Sequence, residues 1–220
     1  MRYLAHQPRS VALVCMGPSV VDFISDTFTQ TFTPDFADEI WAINMAANGV
    51  WHDVCFWLDD IAEENRIRPG LFAAMRRRGR PVITATSYPD IVPTSYPYPA
   101  QEIISLGWPV FGRPYLNNGV AMAVAYALWK GVRRLKIYGA DFTYPDRAYG
   151  EMGRACIESW IVFASHQGME VVLATHSSLF DTVDLAPAPP EYVPQDTSGR
   201  VMSDGEIRLR PAGYGEQVRA

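Results

Sequence analysis

Apolar residues along this chain fall into short continuous runs separated by longer stretches with helical spacing. Val11–Gly17 (VALVCMG) is uninterrupted and ends in glycine, the pattern of a strand buried on both faces. Pro18 and Ser19 then open a segment with Val20, Val21, Phe23, Ile24 and Phe28 at helical intervals, and a proline suits a first helical turn. The same grammar recurs at Glu39–Asn44, Val54–Asp60 and Pro81–Thr86, with a helical stretch over Ile61–Arg78. Further on, Val120–Lys130 predicts a helix, Leu135–Tyr138 a strand, Glu151–His166 a helix and Glu170–Ala174 a strand.

Strands that alternate with helices predict parallel βαβ units, hence an α/β fold with a Rossmann-like, largely parallel sheet. The expected domain covers residues 1–177. Ser87–Pro99 is rich in Tyr and Pro, which disfavours helix and removes backbone donors, so an irregular insertion is expected at about 87–115. Residues 178–220 read as an extended tail, with a small hairpin over Gly199–Arg210 as one option.

Composition narrows the picture. With 220 residues and 48% hydrophobic side chains, the chain can bury one sizeable core. A net charge of −5 argues against a broad nucleic-acid footprint. The local cluster Arg76, Arg77, Arg78 and Arg80 reads as a helix end, where cations complement the dipole. Cys15, Cys55 and Cys156 cannot all pair and read as buried thiols. No run approaches the roughly 18 apolar residues of a membrane span, and no secretory pattern is evident near Met1; a cytoplasmic location is expected.

In open α/β sheets ligands collect beyond the carboxyl ends of the strands, and here those ends are polar. Gly17-Pro18-Ser19 offers a close backbone approach and a helix N-terminus to a phosphate, or is a plain tight turn. Asn44 can donate and accept toward a ribose or base. Asp59 and Asp60 can ligate Mg²⁺ or cap the helix from Ile61. Asn117-Asn118-Gly119 precedes a helix, where one Asn caps it and the remaining amide and the glycine backbone face a ligand. Gly139-Ala140-Asp141 places a carboxylate past a buried strand, followed by Tyr144, Asp146 and Tyr149 in a loop. Tyrosine combines an aromatic face with a hydroxyl suited to a base, a sugar or a leaving phosphate. Of four histidines, only His176 falls on the ligand side, as a candidate general base or a structural group. His166 reads as a helix end, His52 as a loop residue and His6 as near a terminus.

Between about Val11 and Ala174 these elements remotely resemble the bacterial sialyltransferases that use CMP-sialic acid. The resemblance extends to related motility-associated glycosylation factors and hydroxymethylpterin diphosphokinase-like proteins. Its elements are the apolar strand into GPS, a strand ending in Asn44, the helix start N-G-V-A-M and the sequence Y-G-A-D-F, in the family's order. The resemblance implies nucleotide contacts at Gly17, Ser19 and Asn44, a polar pair at Asn117 and Asn118, and a carboxylate at Asp141. It also implies a tyrosine at Tyr149, with Tyr144 as a nearby substitute, that stabilises the leaving phosphate. The chain departs from the pattern at Met16, where the family has Asn, and has Glu151 and Met152 where the family's histidine stands.

Three functions follow as expectations. One is a glycosyltransferase that moves a sugar from a nucleotide sugar to a hydroxyl acceptor, with Asp141 or Glu151 assisting deprotonation and metal optional. Another is Mg²⁺-ATP-dependent diphosphate transfer to a small heterocyclic alcohol, with Asp59, Asp60 and Asp141 around the metal. The last is a nucleotide-binding or assembly module without chemistry.

Overall fold

The computed structural model describes residues 6–29 and 36–180, so the predicted tail beyond Phe180 and the Gly199–Arg210 hairpin lie outside the described residues. Seven strands form one sheet: β1 (Ser10–Val14), β2 (Glu39–Ile43), β3 (Val54–Trp57), β4 (Val82–Thr84), β5 (Ser95–Pro97), β6 (Arg134–Tyr138) and β7 (Glu170–Leu173). Their order is β5-β4-β3-β2-β1-β6-β7, and every pairing is parallel. This is the Rossmann-like α/β fold that the alternating runs predict.

Helices cover both faces. Side chains alternate across a strand, so Val11 and Leu13 of β1 pack with Trp41, Phe56 and Ile83 on one face, while Ala12 and Val14 face the other. The first face is covered by α5 (Ala100–Phe111), α6 (Gly119–Trp129) and α7 (Arg147–His166). The second is covered by α1 (Val20–Thr29), α2 (Ala46–Gly49), α3 (Ile61–Ile67) and α4 (Ala73–Arg78). α6 is buried at Ala121, Ala123, Val124, Ala125, Tyr126 and Ala127, as a nearly all-apolar helix must be. All three cysteines are buried and unpaired. Among the described residues no helix is long and apolar enough to cross a membrane.

The structure differs from the sequence expectation in four places. First, the Tyr/Pro segment is irregular only to Thr94: Ser95–Pro97 adds the edge strand β5, and α5 follows, carrying Pro109 within it. Pro97 is tolerated because β5 is an edge. α5 is fixed by Gly107, where a Cβ would meet the Trp160 ring at 2.7 Å. Second, the helix expected over Ile61–Arg78 breaks at Pro69-Gly70 into α3 and α4. Third, α7 starts at Arg147, capped by the Asp146 side chain, so Tyr149 sits in its first turn instead of a loop, and Glu151, expected to open the helix, lies within it. Fourth, the packed unit continues past 177 to Phe180. The arginine cluster does close a helix: Arg76, Arg77 and Arg78 form the last turn of α4, ended by Gly79 at φ 62°.

Candidate functional site

Strand connections run outward from β1 in both directions, so the chain reverses its winding between β1 and β6. Crevices at the carboxyl ends of the strands on either side of such a reversal receive ligands in open α/β sheets. A cleft of about 320 Å³ opens there, lined by Cys15, Gly17, Pro18, Asn44, Val120, Asp141, Phe142 and Tyr144 among others.

The floor is a knot between two distant turns. Gly17 N–H donates to the Gly139 carbonyl at 2.7 Å, and Gly139 N–H donates to Ser19 Oγ at 3.0 Å. Ser19 N–H donates to Asp141 Oδ2 at 2.7 Å. Such closeness requires glycine on both strands. A Cβ at Gly17 would stand 2.5 Å from Asp141 Oδ2, and one at Gly139, whose φ is 69°, would stand 2.5 Å from the Cys15 carbonyl oxygen.

The glycine turn therefore works differently from the phosphate cradle expected of it. The first amides of α1 are already satisfied: Val20 and Val21 donate to the Gly17 and Pro18 carbonyls, and Ser19 donates to the Asp141 carboxylate. A carboxylate held at a helix N-terminus takes the position a phosphate would take. Ser19 is fully buried, with its hydroxyl committed to β6. By contrast, the amides of Gly119 and Val120 at the start of α6 take no partner among the described residues, and Val120 lines the cleft.

Asp141 is only 3% exposed. Its Oδ1 also accepts from Ser178 N–H at 3.3 Å, and the Ser178 hydroxyl donates to the Asp141 carbonyl. A strap after β7 is thereby stitched over the end of β6, and Phe180 N–H ties it onward to Glu158 Oε1 at 2.7 Å. Phe142 follows at φ 51°, its ring seated where a Cβ on Gly153 would lie 2.5 Å away. Cys15, beneath the cleft, is held protonated because burial pushes its thiol up, with the Asp141 charge adding to the effect.

Asn44 ends β2 at φ 47°, a left-handed conformation that Asn tolerates better than most residues. Its Nδ2 donates to Asp59 Oδ2 at 2.9 Å. Asp60 turns away, its Oδ1 accepting from Ala62 and Glu63 N–H as the cap of α3. The adjacent carboxylates thus serve different partners, and no group of three or more His, Cys, Asp or Glu among the described residues is placed to hold a metal ion.

On the opposite rim Tyr144 is half exposed and meets the Tyr149 ring edge-on at 5.1 Å. Partial burial, then the neighbouring Tyr149, Cys15 and Asp59, push its hydroxyl above the ordinary phenol range, so it stays a donor at neutral pH. Tyr149 and Glu151 do not line the cleft. Asn118 caps α6 through Ala121 N–H, and Asn117 and Asn118 donate to the Met152 and Gly153 carbonyls; their amides join α6 to α7.

His176 also lies outside the cleft lining. Its Nδ1 is 2.6 Å from Asp22 Oδ1, and its backbone N–H donates to Asp22 Oδ2 at 2.8 Å, which anchors the strap to α1. His6 pairs with Glu39 at 2.6 Å, on the far end of the sheet. Sequence reasoning passed over Asp22 and Ser178 because their partners are 154 and 37 residues away. It passed over Val120 and Thr143 as cleft residues because neither type signals a site.

Fold and cleft define the class: a Rossmann-like α/β protein with its candidate site where the sheet changes winding direction. Compared with known proteins, the chain matches no family model and no curated protein.

Proposed function

We propose that the cleft binds a nucleotide-activated donor and that the protein is a transferase, moving a sugar from a nucleotide sugar to a hydroxyl acceptor. The observation that carries this reading is the cleft at the β1/β6 reversal, which combines a buried carboxylate at Asp141, the amide of Val120, without a partner among the described residues and next to that of Gly119, and the protonated Tyr144 hydroxyl. Amides at a helix start favour phosphate. A neutral phenol donates to the charge that develops on a departing phosphate. Among the described lining residues Asp141 is the one carboxylate. Its Oδ1, held by the longer of its two amide contacts, is the atom that takes the acceptor's proton. No step in this scheme requires a metal.

The test is a nucleotide-release assay on the full chain with CMP-, UDP- and GDP-sugars, with and without simple hydroxyl acceptors. Acceptor-stimulated release from one donor class, lost in Asp141→Asn while the variant stays folded, supports the transferase. Tight nucleotide binding with no release from any donor supports a binding module, and ATP turnover that needs Mg²⁺ supports diphosphate transfer.

A further inference from the structure

Asn44 and Asp59 form a polar pair whose remaining groups are nearly all acceptors. Asn44 spends one Nδ2 hydrogen on Asp59 Oδ2. Asp59 Oδ1 has no partner among the described residues, and neither has Asn44 Oδ1. Asp59 is exposed and follows β3, while Asn44 is half-buried and lines the cleft. The left-handed backbone at Asn44 ends β2 abruptly and fixes where its amide leaves the strand.

We infer that this pair selects the ribose of the bound nucleotide, with Asp59 Oδ1 and Asn44 Oδ1 accepting from its vicinal 2′- and 3′-hydroxyls. This rests on the nucleotide reading above and gives the ligand a direction. Two oxygen acceptors on side chains joined by a hydrogen bond, one of them charged, call for two neighbouring donors, and a vicinal diol supplies them. The same charge repels phosphate. The phosphates then lie toward Gly119 and Val120, whose amides have no partner among the described residues, and the sugar lies toward β2 and β3.

Binding of ADP, CDP, GDP and UDP and their four 2′-deoxy counterparts to the full chain, measured by titration calorimetry, tests this. For whichever base binds, removal of the 2′-hydroxyl is expected to weaken binding by at least about tenfold, as loss of one hydrogen bond to a charged group does. Asp59→Asn keeps an oxygen for the Asn44 amide but loses the free carboxylate oxygen. In that variant the ribonucleotide should fall to the deoxynucleotide level, with the thermal midpoint unchanged. Equal binding of ribo and deoxy forms, or discrimination that survives in Asp59→Asn, overturns the inference and leaves the nucleotide reading standing. Binding by none of the eight overturns both.

Discussion

Ser19 and Asp141, 122 residues apart, are joined by a 2.7 Å hydrogen bond from the Ser19 amide to Asp141 Oδ2 in a fully buried setting. The bond joins the turn after β1 to the end of β6, the two elements between which the cleft opens. Loss of the carboxylate orphans two amides, Ser19 N–H and Ser178 N–H. At about 1–3 kcal/mol for each buried group left unsatisfied, Asp141→Ala should lose roughly 2–6 kcal/mol. Asp141→Asn, which keeps one acceptor oxygen, should lose about half as much. Urea unfolding midpoints of the two variants check the order; equal and negligible losses would show that the knot does not hold the site.

The glycines of that knot make a second prediction. A Cβ at Gly17 or Gly139 meets backbone or a fixed carboxylate at 2.5–2.7 Å, atoms that cannot swing aside. Gly17→Ala and Gly139→Ala should each destabilise by more than about 2 kcal/mol. Gly49 is the control: it ends α2 with nothing within 4 Å of the added Cβ, so Gly49→Ala should be neutral or stabilise by up to about 1 kcal/mol. Thermal unfolding of the three variants side by side separates close approach from general intolerance of alanine.

Tyr144→Phe keeps the aromatic rim and removes one donor. If that hydroxyl stabilises a leaving phosphate, kcat should fall by about 10²-fold with KM little changed, the signature of an interaction made only in the transition state. Because burial raises the Tyr144 hydroxyl above its ordinary value, any alkaline loss of rate from this group should fall at higher pH than an ordinary tyrosine would give. A Tyr144→Phe variant with unchanged kcat removes the residue from the chemistry.

Asp22 gives a pH dependence of stability. The His176 backbone N–H, offset in part by desolvation and aided by the His176 side chain, holds the Asp22 carboxyl below the usual carboxylate value. A carboxyl depressed in the folded state adds stability above its unfolded pKa and loses it as pH falls through the folded one. The wild-type midpoint should therefore drop from about pH 4 downward more steeply than that of Asp22→Asn. Parallel curves for the two proteins between pH 5 and pH 2 would deny the strap this anchor.

Much of the fold was legible because parallel strands buried on both faces read as continuous apolar runs, as β1, β2 and β3 nearly do, while β4 and β7 are shorter apolar runs with one polar end and β6 shows through Leu135, Ile137 and Tyr138 despite Lys136. β5 escaped because its three residues include Pro97 and sit beside Tyr-Pro repeats, and because its helix α5 contains Pro109. Gly17, Asn44 and Asp141 were visible at strand ends and Tyr144 in the loop that follows, and all four line the cleft. Their partners were not visible. Whether Gly17 approaches a ligand or the carboxylate of Asp141 depends on which strands lie side by side. His176 presents the same local pattern whether it faces the cleft or Asp22, and only the fold decides between them.

The most direct measurement is a thermal-shift comparison of the wild type and Val120→Trp, a substitution that fills the cleft from α6, against nucleoside diphosphates and CMP-, UDP- and GDP-sugars. A ligand at a hundred times its dissociation constant adds about 2.7 kcal/mol, which for a domain of this size raises the midpoint by roughly 5–10 °C. The expected result is such a rise for at least one nucleotide in the wild type and none in Val120→Trp. No rise with any nucleotide, or an equal rise in both proteins, would contradict a nucleotide site between β1 and β6.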